Sequence, residues 1–375
     1  MKKIIWVALV ATFMVSCSNK PDGYVIEGTS DKLADGTKLF IEIQGKDEQE
    51  SVVVDSAIVK NGKFEFEGKI DEIQIAYLGY GSKVNKIPFV LENDRITIEV
   101  YVDSLTKSKI GGSYNNIELA GFNQRYAALQ DKITAFKKEN SEVLREAQKN
   151  NDTIIIDKLT ESYRQIQQEF ETYTDDYVSK NNKSIVSLLV LSNLVNNPNV
   201  DFEKVKRDSE ALAPELKATR VGKRLFERLN ELSQIAIGSK APEFSAPNPE
   251  GQMVSLKESL GKVTIIDFWA SWCAPCRVEN PNMVALYNEF HEKGLNIVGV
   301  SLDGEAQREK WLEAIATDKL AWTQVSNLKF WQDPIARQYN IQAIPATFIL
   351  DEKGVIVAKN LKGEELRNKV AEMLK

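Results

Sequence analysis

Apolar and polar residues follow three different periods along this 375-residue chain. Between Tyr24 and about Ile110 the pattern is that of short strands. Val52-Val53-Val54 is a β-branched run, while Lys63-Phe64-Glu65-Phe66-Glu67 and Arg95-Ile96-Thr97-Ile98-Glu99-Val100 alternate with period two. Asn61-Gly62 supplies the chemistry of a two-residue hairpin turn. Strands at this spacing predict a small antiparallel β-domain, a sandwich or barrel, over 24–112. From Ser113 to Ile237 the spacing changes to threes and fours. Phe122, Tyr126, Leu129, Ile133 and Phe136 mark one amphipathic helix, and Leu159, Tyr163, Ile166, Phe170, Tyr173 and Tyr177 a second. The polar turn Asn150-Asn151-Asp152 lets the two bury their aromatic seams on each other as a hairpin. An apolar segment, Ile185–Leu194, and a last helix over Pro214–Ser233 complete a helical region, 113–237. Gly238-Ser239-Lys240-Ala241-Pro242 then breaks the helix and opens a final domain, 238–375.

That domain alternates strand-like and helix-like stretches, which predicts an α/β layer fold. Val263 to Trp269 is almost wholly apolar and β-branched or aromatic, the pattern of a strand covered on both faces, and only Asp267 interrupts it. After Ala270-Ser271, the run Cys273-Ala274-Pro275-Cys276 opens a helical pattern that continues through Met283, Leu286 and Phe290 to a stop at Gly294. The pattern further predicts a strand over Leu295–Leu302 and helices over Glu305–Ala316 and Asp333–Tyr339. Paired strands over Ala346–Leu350 and Val355–Lys359, turning at Asp351-Glu352-Lys353-Gly354, and a closing helix over Glu364–Leu374 complete it.

Composition narrows the function. Length alone supports two or three domains. The formal charge is -6, and without Lys2 and Lys3 it is 46 minus 54, or -8. No basic stripe stands out to neutralise phosphates, so no nucleic-acid partner is expected. Three cysteines and one histidine are too few for an ordinary zinc site, and no metal or cofactor is implied. His291, among Glu289, Glu292 and Lys293, reads as a solvated surface residue.

Met1-Lys2-Lys3 is a basic leader and Ile4–Val15 an apolar stretch too short to span a bilayer comfortably, which predicts a secretory signal over 1–16. The box Met14-Val15-Ser16-Cys17 resembles that of bacterial lipoproteins, though it lacks their usual Leu and small residue at the first two positions. The resemblance implies that Cys17 carries a lipid, that 17–23 is a tether, and that the protein sits in the cell envelope, anchored to a membrane and facing the periplasm. The alternative is a cysteine left idle behind a cleavable signal. Either reading puts the chain where disulfides persist.

Cys273 and Cys276 lie three apart at the start of a helix, close enough to close a small disulfide. The first feels the positive end of the helix dipole and its unsatisfied N–H groups, which favours its thiolate. Trp272 flanks the helix start, where the Cys273 sulfur is expected to be exposed. Pro275 falls in the first turn, where no intrahelical bond is lost, whereas Pro281 lies inside the helix. Asp267 shares a strand face with Val263 and Ile265, so burial should raise its pKa and fit it to hold a proton. The plainer readings are half of a zinc knuckle or a static disulfide for the cysteines, and a satisfied structural polar group for Asp267.

The order of Trp272-Cys273-Ala274-Pro275-Cys276, Pro281 and Ile344-Pro345-Ala346-Thr347-Phe348 resembles the exported, membrane-anchored thioredoxin-like oxidoreductases of the TlpA and ResA type, over about the last third of the chain. Asp55-Ser56 and the stretch Asn61–Gly68 are similar to an uncharacterised β-domain often found ahead of such domains. The resemblance implies a C-terminal thioredoxin fold and a thiol-disulfide oxidoreductase with Cys273 as attacking thiol and Cys276 as resolving thiol. It implies that Asp267 assists the buried cysteine, that Glu279 matches an acidic residue of the ResA-type site, and that Pro345 is cis after Ile344. Glu279 has the alternative of an exposed helix residue beside Arg277. Trp272, an apolar shield beside the sulfur, is then, with Ile344 and Pro345, the docking ground for a substrate peptide, which would add as a strand beside the bend; the plainer readings are core packing for Trp272 and an ordinary trans turn for Ile344-Pro345. Implied partners are dithiols or disulfides of exported proteins, apocytochrome among them, and a membrane thiol carrier as electron donor. Two other classes stay open. One is a thiol peroxidase of the peroxiredoxin type, although the Pro-x-x-x-Thr/Ser-x-x-Cys pattern is missing before Cys273. The other is a binding or scaffold lipoprotein whose cysteine pair only stabilises.

Overall fold

Val263–Trp269 forms the strand that its apolar run predicts, and all seven residues are buried. In the computed structural model, which describes residues 21–45, 50–81, 86–197 and 200–375, this strand is the centre of a five-stranded sheet. The expected leader, 1–16, and Cys17 lie outside the described residues. The chain divides into two units, Met1–Leu225 and Phe226–Lys375, and the division falls within the helix Arg220–Ser233.

In the second unit the sheet runs Thr323–Val325, Leu295–Ser301, Val263–Trp269, Ala346–Asp351, Ile356–Lys359. The first three strands are parallel, and the last two join as an antiparallel extension. This mixed sheet, with helices Ala274–Phe290, Arg308–Thr317, Pro334–Gln338 and Gly363–Met373, is a thioredoxin fold. The helix that starts at the cysteines ends before Gly294, whose φ of 112° makes the left-handed turn into the next strand. It lies against the C-terminal helix, where Arg367 pairs with Glu289 at 2.6 Å. The expected helix from Glu305 begins as a 3-10 turn, Glu305–Gln307, and becomes α-helical at Arg308. Strand Thr323–Val325 is too short to show a period in the sequence.

One packing detail fixes the centre of this sheet. The Trp269 indole N–H donates to Gln324 Oε1 at 3.0 Å. Gly299 pairs with Gln324 on one side and with Asp267, two residues before Trp269, on the other, and a Cβ there would stand 2.2 Å from that oxygen. The missing side chain is what lets Gln324 reach across.

The first unit holds two four-stranded sheets around one core that includes Ile26, Phe66, Leu39, Ile41, Leu78 and Phe89. One sheet runs Lys63–Gly68, Tyr24–Thr29, Arg95–Glu99, Lys109–Gly111, and the other Ser51–Ile58, Lys38–Gln44, Gln74–Tyr80, Lys86–Leu91. The pairings are antiparallel apart from Tyr24–Thr29 with Arg95–Glu99, which is parallel. Asn61 and Gly62 both have positive φ, 51° and 68°, as a two-residue turn of that composition requires. Lys60 and Lys63 close the turn as an antiparallel bridge, with backbone hydrogen bonds of 2.9 and 3.0 Å, and beyond it the strands Ser51–Ile58 and Lys63–Gly68 part into different sheets.

Helices Tyr114–Lys149 and Thr153–Lys180 form the expected hairpin. Phe122 stacks on Tyr173 at 5.3 Å, Tyr126 meets Phe170 at 4.8 Å and Phe136 meets Tyr163 at 5.9 Å, so the aromatic stripe is an interhelical seam. The hairpin is tied to the sheets by buried amides. Asn116 accepts from the Val90 N–H and donates to the Val90 carbonyl, both at 2.8 Å. Asn115 donates to Glu92 at 2.9 Å and accepts from the Ile185 N–H at 2.8 Å. The single helix expected over Pro214–Ser233 is two, Pro214–Ala218 and Arg220–Ser233. The break is Thr219, which is extended at ψ 161° and accepts the Gly222 N–H on its hydroxyl. A further helix, Phe202–Glu210, is capped by Asp201.

Candidate active site

The central strand delivers its chain end straight to the helix Ala274–Phe290, with Cys273 as N-cap. Cys273 and Cys276 are joined in a disulfide, with their Cα atoms 5.3 Å apart. The backbone N–H of Cys276 points at the Cys273 sulfur, 3.2 Å away, and Pro275 occupies the first turn as expected. The expectation of an exposed Cys273 sulfur is corrected: Cys273 is 4% exposed and Cys276 1%. In the disulfide each sulfur covers part of the other, and the preceding turn, 270–272, is closed against the helix start by the Cys273 N–H, which donates to the Ala270 carbonyl at 3.1 Å.

Two groups hold that turn. Asp303 follows the strand Leu295–Ser301 and is fully buried; its carboxylate accepts from the Ser271 N–H at 2.9 Å, the Ser271 hydroxyl at 2.6 Å and the Ser301 hydroxyl at 2.6 Å. From the other side, Arg277 donates to the Ser271 carbonyl at 3.3 Å while paired with Asp318. Asp303 also holds the loop 326–333 through its backbone, since its carbonyl accepts the Phe330 N–H at 3.3 Å. In that loop Leu328 and Phe330 adopt left-handed backbone, φ 54° and 53°. Phe330 and Trp331 are thereby placed 5.2 and 6.2 Å from the Trp272 ring. Trp272 is therefore one of three contiguous aromatic rings, with 39% of its surface exposed.

Beneath the disulfide, Asp267, Cys276, Glu279, Asn280, Met283, Pro345 and Thr347 are among the residues lining a cavity of about 10 Å³, room for about one water. Burial, with the charge of Glu279 adding to it, pushes the Asp267 carboxyl up from 3.8 to about 7. Glu279 is half-buried, and its oxygens accept from the Gly363 N–H at 3.0 Å and the Asn282 amide at 3.1 Å. The Ile344–Pro345 bond is cis, one residue before the strand that pairs Thr347 with Asp267. Of the residues singled out in the sequence, Asp267, Trp272, Cys273, Cys276, Glu279, Ile344 and Pro345 thus meet at one end of one sheet. Cys17 lies outside the described residues.

Sequence reasoning missed Asp303, Phe330 and Trp331. Asp303 had a signal: an acidic residue just past the carboxyl end of an apolar strand, where α/β sheets carry their sites. Phe330-Trp331 had a weaker one, two adjacent aromatics outside any apolar period. A much larger groove on the first unit, about 1040 Å³ and lined by residues such as Glu27, Lys63, Thr97 and Lys109, contains neither cysteine nor histidine. The small cavity, by contrast, is lined by Cys276 of the disulfide. Among the described residues no group of His, Cys, Asp and Glu is arranged to hold a metal ion.

Comparison with known proteins finds likeness in two stretches of the chain. The profile of the AhpC/TSA family matches residues 237–359, and that of a domain of unknown function, DUF4369, matches 24–119. The thioredoxin-like protein YneN of Bacillus subtilis is 39% identical over 120 residues, covering 32% of this chain and 68% of its own. The thiol-disulfide oxidoreductase ResA of Bacillus thuringiensis is 31% identical over 152 residues, covering 38% of this chain and 79% of its own. Among solved structures, the thioredoxin domain of a thiol-disulfide oxidoreductase from Bacteroides vulgatus is 37% identical and covers 37% of this chain and 99% of its own, with a TM-score of 0.35.

Proposed function

Since the chain belongs to the thioredoxin-like thiol-disulfide oxidoreductases of the ResA type, we propose that it reduces disulfides of exported proteins in the cell envelope, with Cys273 and Cys276 as its working pair. The observation that carries this reading is a disulfide at a helix N-terminus with a proton-holding carboxyl beneath it. In the reduced enzyme the Cys273 thiolate, favoured by the helix end, attacks one sulfur of a substrate disulfide. The substrate S–S bond breaks, and its leaving thiolate takes a proton from water. Cys276 then gives its proton to Asp267 in its ionised form, which is present in quantity near its pKa of about 7, and attacks the Cys273 sulfur. The second substrate thiol leaves, and the enzyme is left with the Cys273–Cys276 disulfide. Two electrons have passed to the substrate, and a dithiol donor, in this proposal a membrane thiol carrier, must return them. Apocytochrome is one substrate consistent with the ResA likeness. Anchoring is assigned to a lipid on Cys17; among the described residues no helix is long and apolar enough to cross a membrane.

The test is asymmetric. Cys276→Ser should attack but not release, so mixed disulfides with envelope proteins should accumulate and disappear on adding dithiothreitol. Cys273→Ser should trap nothing and lose reductase activity toward insulin. Equal trapping by both variants would overturn the role assignment, and trapping by neither would favour a scaffold.

The AhpC/TSA match favours a second reading, a thiol peroxidase. Against it, Ile266 and Ala270 stand where the Pro and Thr/Ser of the peroxidase pattern would fall. Consumption of hydrogen peroxide by the reduced protein at rates matching disulfide reduction would support the peroxidase instead.

A further inference from the structure

We propose that Trp272, Phe330 and Trp331 form a specificity surface that selects disulfides in unfolded polypeptide, by seating an apolar side chain that flanks the cysteine under attack. The inference rests on the oxidoreductase reading and names its substrate class. Trp272 immediately precedes Cys273 in the chain, so in this proposal a polypeptide whose sulfur is joined to Cys273 has the ring within a few residues' reach. Phe330 meets Trp272 at 5.2 Å, Trp331 meets it at 6.2 Å, and Phe330 and Trp331 lie 6.1 Å apart, so the three rings are one patch. Trp272 and Phe330 remain 39% and 41% exposed.

The patch is built, not incidental. Leu328 and Phe330 both hold left-handed backbone, which a side chain other than glycine adopts at a free-energy cost. Strain of this kind persists only where the surroundings impose it, and here they do. Ser326 donates to the Ser301 carbonyl at 2.9 Å, the Phe330 N–H donates to the Asp303 carbonyl, and Asn327 donates to the buried Asp333 at 2.9 Å. Asp303 holds Ser271 with its side chain and Phe330 with its backbone, so both sides of the patch keep one spacing. A rigid exposed aromatic surface beside a reactive sulfur loses little entropy when an apolar side chain covers it. Folded proteins hide such side chains, whereas unfolded segments present them within a residue or two of a cysteine. An extended residue advances about 3.3 Å, so a neighbour one to three positions from the substrate cysteine is within reach of the rings.

The test uses the full-length reduced protein in single turnovers: one enzyme dithiol becomes a disulfide, and one peptide disulfide becomes two thiols. Two synthetic peptide dimers are compared, each joined by one disulfide and identical except for Phe or Ser on both sides of the cysteine. Hydroxyethyl disulfide, which has no flanking residue, is the reference. The wild type should favour the Phe dimer over the Ser dimer by about tenfold in second-order rate, the size of one well-placed aromatic contact. In Phe330→Ser the preference should fall to about twofold, and Phe330→Leu should keep most of it. A wild-type preference near one, or an undiminished preference in Phe330→Ser, would overturn the proposal while leaving hydroxyethyl disulfide reduction, and the oxidoreductase reading, intact. Failure of the wild type to reduce any of the three compounds would instead remove that reading and this inference with it.

Discussion

A carboxyl group that is 5% exposed and faces a second carboxylate keeps its proton, and for Asp267 this holds up to about pH 7. The unfolded chain releases that proton near pH 4. Between those two values the native state binds more protons than the unfolded one, so stability falls as pH rises from about 4 to about 7. The loss is on the order of 4 kcal/mol and is complete above neutrality. Asp267→Asn should therefore raise the stability of the oxidised protein by about 2–4 kcal/mol at pH 8 and leave it little changed at pH 4. Urea unfolding at the two pH values checks this, and an equal effect at both would mean that the carboxyl is not the titrating group. Asp267 was legible in the sequence because it is the one charged residue in an otherwise apolar strand. Asp303 was not, because nothing in its neighbours says that Ser271 and Ser301 will converge on it.

Elements were read from the sequence wherever apolar residues recur with one spacing, or run unbroken, along their length. The central strand, the cysteine helix and the aromatic helix hairpin all carry such runs, and all three formed where the pattern put them. What the period does not carry is the partner of each strand. The parallel pairing of Tyr24–Thr29 with Arg95–Glu99 and the parting into different sheets of the strands on either side of the Asn61-Gly62 turn depend on contacts distant in sequence. The loop 326–333 was illegible for the same reason, since tertiary hydrogen bonds dictate its left-handed residues. The bridge from Gln324 to Trp269 gives a test at this scale. Gly299→Ala should destabilise by about 2–3 kcal/mol, because the new methyl forces a buried, hydrogen-bonded side chain aside. Combined with Gln324→Ala the added cost should shrink to below about 1 kcal/mol, and full additivity in thermal or urea unfolding would show that the clash lies elsewhere.

For the whole molecule, three periods correspond to β, helical and α/β regions, but contacts divide the described chain only once, within Arg220–Ser233. The sequence offers no sign of this, because the groups that join the first two regions include Asn115 and Asn116. Read alone they look like ordinary polar residues at a helix start; in the structure they are buried and fully engaged. The proposed anchor is likewise a property of the entire chain. Metabolic palmitate labelling of the full-length protein should be lost in Cys17→Ala and kept in Cys273→Ser. Label that persists without Cys17 would remove the anchor assignment.

The cavity under the disulfide has a last consequence. It has room for about one water, so the acids and bases of the surrounding medium are too large to enter. In the proposed cycle the proton from Cys276 must pass first to a carboxylate that the protein itself supplies. Resolution of the mixed disulfide then answers to the acidity of the medium but not to its buffering capacity, so an enzyme of this design keeps the same pace in dilute surroundings as in concentrated ones.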